Sequence, residues 1–337
     1  MAIKKFTIND IAQEAKVSKT TVSRVMNCPE KVNDITRKKI EKIMKKRKYV
    51  PSQNARNLSM QLSTTIGVII PEIDNPFWGA VLRCIAKKLD ERKMTFICFS
   101  AYDDAKKDTL ALERFKEIGV AGLLYTPAID YSSQSEIISL LQQLDVPIVV
   151  MDRDVEALKM FDGVFFRDRE AIFQAAEILM EAGCKTIGMM NADVCTTLGR
   201  TRRQGYVDAL EKHNIKCIDQ YYYNTVDYFT ESAYRVAMEM LDSGEMPDGM
   251  ITGNNSISLG LLKALKKHGM HWNREIRCIS LDKIEPMDII LDNFDYIDRP
   301  PEEIGNSAIN LLIEKIAFPK SETRHVYLMP KICIQNL

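Results

Sequence analysis

Apolar residues in the first 48 positions recur at helical spacing. In "TINDIAQEA", Ile8, Ile11, Ala12 and Ala15 fall on one face of a helix. Thr7 precedes it with Asp10 three residues on, a capping-box-like start. After the break "KVS" comes "KTTVSRVMN", whose only apolar edge is Val22, Val25 and Met26 and which Ser18 is placed to cap. "NDITRKKIEKIMKKRK" predicts a third helix, with Ile40, Ile43 and Met44 inward and a dense basic face outward. Each helix is marginal alone, but three can bury one shared core.

From residue 65 the rhythm changes. Apolar runs such as "IGVII", "TFICFS", "GLLY" and "PIVVM" alternate with amphipathic stretches, the first from 77 to about 91. The alternation restarts after "GVFF", with helices predicted over 169–182, 200–213, 230–242 and 256–268 around "TIGMM", "GMITG" and "RCISL". This is the pattern of parallel sheets covered on both faces. Two such runs predict two doubly wound α/β lobes with a cleft between them, outside the strands' carboxyl ends.

Charge sharpens the division. The chain has 337 residues and a formal net charge of zero. Residues 1–62 carry 15 Lys and Arg against 5 Asp and Glu, a surplus of +10, and the rest of the chain carries −10. A cationic front on an anionic body points to a polyanion partner for the front alone. The eight cysteines are scattered without C-x-x-C spacing and read as reduced thiols of a cytoplasmic protein. No apolar run approaches the length of a membrane span, and no signal peptide opens the chain.

Helix, short turn, helix is the plan of a helix-turn-helix DNA reader, whose second helix enters the major groove. Lys19 can donate to guanine O6 and N7, Thr20 can offer a methyl or hydroxyl, and Arg24 can reach a base or phosphate. Ser18, Thr21, Ser23 and Asn27 suit phosphate or capping bonds. The alternative is a plain surface helix.

The cleft candidates stand just beyond predicted strands: Asn75, Phe77 and Trp78 in "PEIDNPFW", Asp152 and Arg153 after "PIVVM", Arg202 early in a helix, Asn254 after "GMITG", and Asp282 after "RCISL". Aromatic faces can stack on the C–H face of a sugar while amides, carboxylates and arginines bond its hydroxyls. The competing structural readings are a strand-to-helix turn at Asn75-Pro76, and helix capping or arginine pairing for Asp152 and Asp282.

"TINDIAQEAKVSKTTVSRVMN", "TRKKIEKIMKKRKYVPSQNARNL", "IGVIIPEIDNPFW", "RTRRQGYVDAL", "ITGNNSISLGLLKALKKHG" and "ISLD" together resemble the LacI/GalR family of bacterial transcription regulators, in that family's order and over essentially the whole chain. The resemblance implies a small all-α helix-turn-helix headpiece followed by an α/β, periplasmic-binding-protein-like body of two doubly wound lobes. It implies base reading by Lys19, Thr20 and Arg24, and a backbone contact at Tyr49. It implies a minor-groove hinge helix in "PSQNARNL", with Ala55 allowing close approach, Arg56 drawn to negative potential and Leu58 wedging a base step. Arg202, Asn254 and Asp282 match its sugar-contacting positions. The departures are Lys16 for a usual Gly in the turn, Asn255 for Asp, Ser280 for Gly, "NFDYIDRP" for a Leu-Thr-Thr stretch, and Ala121 and Cys184 for a common Asp and His. Of these, Asn255 and Asp295 are expected near the cleft.

The expected organisation is a DNA-binding domain over 1–50, a hinge and linker over 51–62, and an effector-binding and dimerising body over 63–337. The first lobe is expected over about 65–164 with 298–322, the second over about 165–297 with 323–337. No P-loop, G-x-G-x-x-G or G-x-S-x-G stands in the chain, so an enzyme is not expected. "HGMH" reads as a helix end, not a metal site, and neither a metal nor a cofactor is expected. The expected partners are a near-palindromic double-stranded operator, a second copy of the chain, and a sugar or sugar-derivative effector, with no membrane. The alternatives are a transport-type sugar receptor, or a regulator that takes a non-sugar metabolite as corepressor.

Overall fold

The computed structural model describes residues 7–27, 29–47, 63–192, 196–215, 221–285, 287 and 294–335. The chain divides into two compact units, Met1–Ser63 and Thr64–Leu337.

Among the described residues the first unit holds three helices, α1 (Ile8–Ala15), α2 (Lys19–Asn27) and α3 (Asp34–Lys46), with a 3₁₀ turn at Pro29–Lys31. At the start of α1, Thr7 Oγ1 accepts from the Asp10 N–H, and the Thr7 N–H donates to Asp10 Oδ2 at 2.7 Å. Lys16 ends α1 in the left-handed region, φ 54° and ψ 46°, the conformation a glycine would adopt without strain. Ile11, Ala15, Val22 and Ile40 are fully buried. Ile43 and Met44 are half-buried against them.

In the second unit the first lobe is a six-stranded parallel sheet. Its elements in chain order are β1 (Thr65–Ile70), α4 (Pro76–Asp90), β2 (Thr95–Ser100), α5 (Ala105–Ile118), β3 (Gly122–Tyr125), α6 (Glu136–Gln143), β4 (Ile148–Asp152) and β5 (Asp162–Phe166). The second lobe takes α7 (Asp168–Glu181), β6 (Ile187–Asn191), α8 (Thr197–Lys212), β7 (Tyr222–Asn224), α9 (Thr230–Ser243), β8 (Gly249–Thr252), α10 (Asn255–Lys267), β9 (Arg277–Leu281) and β10 (Asp295–Asp298). The chain then returns to the first lobe with α11 (Pro301–Ala317) and β11 (His325–Leu328), and ends in the second with β12 (Lys331–Cys333).

Strand orders are β11-β5-β4-β3-β1-β2 and β12-β10-β9-β8-β6-β7, every pairing parallel except β10 with β12. Each sheet is covered on both faces by apolar clusters. Three crossovers join the lobes, after Phe166, after Asp298 and after Leu328. These shift two expected boundaries. Residues 325–328 pair with β5, so they belong to the first lobe and not the second, and β5 carries the first lobe on to Phe166. The last strands are too short and too weakly patterned for sequence to reveal the sheet they join.

Gly269, at φ 71°, follows the end of α10, which accounts for "HGMH" as a helix terminus. No helix among the described residues is long and apolar enough to cross a membrane.

Candidate functional site

In the headpiece, Ser18, Lys19, Thr20 and Arg24 are exposed, and Thr21 and Ser23 are half-buried. Ser18 Oγ accepts the Thr21 N–H at 3.1 Å and lies 2.9 Å from Thr21 Oγ1, so these two hydroxyls close the start of α2. Lys19, Thr20 and Arg24 extend from the wet side of a helix whose other edge, Val22 and Val25, is locked in the core. Asn27 ends α2, and its side chain lies outside what is described, as do Tyr49, Ala55, Arg56 and Leu58.

In the body, Asn75, Phe77, Trp78, Asp152, Arg153, Arg202, Asn254 and Asp282 all line one cavity between the lobes. Parallel strands explain the convergence, because every loop after a strand opens on the same edge. Asp152 ends β4 at φ 67°, and Asp282 directly follows β9 at φ 71°. Non-glycine residues rarely hold this conformation, and such strain gathers at functional sites. Ser280 helps hold one of them: its hydroxyl lies 2.6 Å from Ser258 Oγ and donates to the Asp282 carbonyl at 2.9 Å. The Gly-to-Ser departure is thus a buried support for the site.

The residue at the centre is Arg299, which the sequence reading did not single out. It lies on the crossover between β10 and α11 and is 4% exposed. Its Nε and Nη2 donate to the two oxygens of Asp282 at 2.7 and 2.8 Å, and its Nη1 donates to Asp152 at 2.8 Å. A third carboxylate, Asp168 at the start of α7, stands 3.6 Å from Nη1. The guanidinium carbon sits 4.9 Å from the centre of the Phe77 ring and 5.2 Å from that of Phe166. Arginine pairing, weighed for Asp152 and Asp282 as a structural role, is therefore what they do here. The Phe77 face expected to meet a sugar is against Arg299, and Trp78 is packed into the first-lobe core with its ring edge-on to Phe77. The signal for Arg299 was the rule used for the others, since it directly follows a strand.

Arg202 is 1% exposed. It donates from Nε to Asp168 at 2.7 Å and from Nη1 to the Gly253 carbonyl at 2.8 Å, and it lies over the Tyr228 ring. Gly205, one turn on, lets α8 approach α7: a Cβ there would stand 2.2 Å from the Arg169 carbonyl oxygen. Arg153 donates to the Pro127 and Ala128 carbonyls and pairs with Asp103 at 2.7 Å. Asn254 caps α10 through the Ile257 N–H and donates to the Tyr228 carbonyl.

Electrostatics follow the packing. Burial opposes ionisation of Asp168, but Arg202 and Arg299 outweigh it and its pKa falls below the ordinary value. Burial likewise opposes the charge of Arg299, and Asp282, Asp168 and Asp152 outweigh it. Glu72 at the rim is raised, by burial first and then by neighbouring carboxylates, with the Asn75 amide working against both.

The lobes are tied on both sides of this centre. Asn75 and Asn255 exchange amide hydrogen bonds. Asp130 of the first lobe accepts from the Thr197 N–H and hydroxyl, each at 2.6 Å, and from Arg200 at 3.0 Å. Asn255 is therefore at the cleft as expected. Asp295 is not: it begins β10 at the far edge of the sheet, where it accepts from Asn273 and from the Gln335 N–H. The space left in the cavity is about 40 Å³. That is room for a few waters, far below the roughly 300 Å³ of a small-molecule site.

Comparison with known proteins agrees with this geometry. Residues 7–52 match the family model described as bacterial regulatory proteins, lacI family. Residues 63–335 match that of periplasmic binding proteins and the sugar binding domain of the LacI family. The HTH-type transcriptional repressor PurR of Salmonella arizonae is 25% identical over 327 residues, covering 97% of this chain and 95% of its own. The Lac repressor dimer bound to operator and the anti-inducer ONPF superposes with a TM-score of 0.81 at 20% identity, over 98% of this chain and 99% of that one. A complex of the transcriptional regulator CelR with cellobiose gives a TM-score of 0.72 at 20% identity, over 98% and 99%. The matches span headpiece and body together, and the relatives are transcriptional repressors, not enzymes. The chain belongs to the LacI/GalR family: it is a DNA-binding transcriptional repressor with a ligand-binding body.

Proposed function

We propose that this repressor controls a carbohydrate-utilisation operon, and that a sugar or sugar derivative entering between the lobes sets its operator affinity. The observation that carries this reading is the convergence of eight side chains from strand ends and helix starts, rich in carboxylate, amide and guanidinium, on one interlobe cavity. Polyols are recognised by forked polar groups of this kind.

On the DNA side, Lys19, Thr20 and Arg24 read base edges, while Ser18, Thr21, Ser23, Asn27 and Tyr49 position the backbone. Ala55, Arg56 and Leu58 enter the minor groove, where the leucine unstacks a base step. One headpiece covers too few base pairs to single out a genomic site, so two copies act on a near-palindrome, in the cytoplasm. Ligand couples to DNA because it favours one arrangement of the lobes over another, and that arrangement sets whether two hinges order together.

A non-sugar metabolite acting as corepressor is the second reading. It is favoured by the small, charge-filled cavity, in which no sugar ring fits until the lobes part. A thermal-shift screen of the full chain separates the two. Stabilisation by neutral or phosphorylated sugars supports the first reading. Stabilisation by other metabolites alone, with tighter operator binding, replaces it with the second.

A further inference from the structure

We propose that the cleft is a binding site for an organic cation of the guanidinium type, occupied in this chain by its own Arg299. The proposal goes beyond the effector reading given above: it concerns what fills the closed cleft before any effector enters.

Arg299 is surrounded as a bound guanidinium would be. Phe77 and Phe166 face it from two sides at 4.9 and 5.2 Å, contacts that favour a cation over a neutral group. Asp282 takes the fork through two parallel hydrogen bonds, the geometry that distinguishes guanidinium from ammonium. Asp152 takes the remaining nitrogen, from the other lobe. The occupant thus carries the contacts a ligand would use to draw the lobes together. Its backbone sits on a crossover, followed by Pro300 and Pro301, so the guanidinium is tethered where the lobes hinge.

Charge fixes the class of group that can fill the closed cleft. Arg153 and Arg202 are each already paired, with Asp103 and Asp168. An anion entering here would have to strip a carboxylate of its partner and leave a buried charge unpaired, which is unfavourable. A cation replacing Arg299 conserves the balance. A second interlobe cavity of about 300 Å³ reaches Asp152 and Asp168, with Arg167 and Arg169 also in its wall.

Chemical rescue tests this in the full-length chain. Arg299→Ala should lower the Tm by roughly 5–10 °C, since it strips a buried charge network of its cation. Methylguanidinium at millimolar concentration should restore much of that loss with saturable dependence, at constant ionic strength. N-methylurea, of the same shape but neutral, should not. The wild-type chain, whose site is filled, should show no saturable gain from either. Adding Asp282→Asn to Arg299→Ala should abolish the rescue. If Arg299→Ala is poorly folded, Arg299→Met, which keeps the volume, is titrated instead. A folded variant that gains nothing from methylguanidinium, or gains equally from N-methylurea, overturns the proposal. Failure of the sugar screen with rescue intact would instead remove the sugar reading and leave the cation site standing.

Discussion

Asn75 Nδ2 donates to Asn255 Oδ1 at 3.1 Å while Asn255 Nδ2 donates to Asn75 Oδ1 at 2.9 Å, closing a reciprocal amide pair between the lobes. Both side chains are buried, at 8% and 3% exposure. Asn75 also caps α4 through the Phe77 N–H. It therefore has the turn role considered from sequence and a second role that depends on a residue 180 positions away.

Asn255→Ala leaves a buried amide on Asn75 half-satisfied. The expected cost is about 1–3 kcal/mol in denaturant unfolding. A double-mutant cycle with Asn75→Ala should give a coupling energy of at least about 0.5 kcal/mol; strict additivity would show that the pair does not clasp the lobes.

Arg202→Ala removes the hydrogen-bonded ion-pair partner of Asp168 and should destabilise the body by about 3–5 kcal/mol. The pH dependence follows from the lowered pKa of Asp168. Stability from a depressed carboxylate is present above its unfolded value of about 3.9 and is lost as pH falls through the lower folded value. In the wild type this loss therefore lies below about pH 4. In Arg202→Ala it should begin at higher pH, as read from urea midpoints between about pH 3 and 7. An unchanged acid limb would mean that Arg299 alone keeps Asp168 ionised.

Lys16→Gly relieves a left-handed lysine at φ 54°. Residual strain of about 1–3 kcal/mol is partly offset by the extra chain entropy of glycine. We expect headpiece stability to rise by up to about 1 kcal/mol, read by amide exchange in α1 and α2. A loss of protection would mean that the lysine side chain contributes more than its backbone costs.

Lys19→Ala should relax preference at one base position by roughly 1–3 kcal/mol. If affinity instead drops uniformly on all duplexes, with a shallower salt dependence, Lys19 contacts phosphate.

Leu58→Ala should lower operator affinity and reduce DNA bending while leaving ligand binding unchanged. Wild-type bending in a circular-permutation gel would remove the wedge role.

Much of the architecture was legible because it rests on local regularities. The 3.6-residue stripes of α1 to α3, the apolar strands and the strand-end rule placed the helices, the sheets and eight cavity residues. Asp295 was misplaced because it begins its strand instead of following it. The assignment of 323–337 to one lobe failed because β11 and β12, four and three residues long, carry too little pattern to name a partner sheet.

By itself the sequence determined a cationic three-helix front, an α/β body of two lobes, and the edge on which the body's chemistry gathers, because helical period, strand alternation and charge are properties of neighbouring residues. Only the tertiary structure decided what fills that edge. Arg299 meets Asp152 and Asp282 across 147 and 17 positions of chain, a meeting that depends on three crossovers folding back on one another. No local pattern encodes which cation answers which carboxylate; burial does, because a buried charge persists only where its partner is already in place.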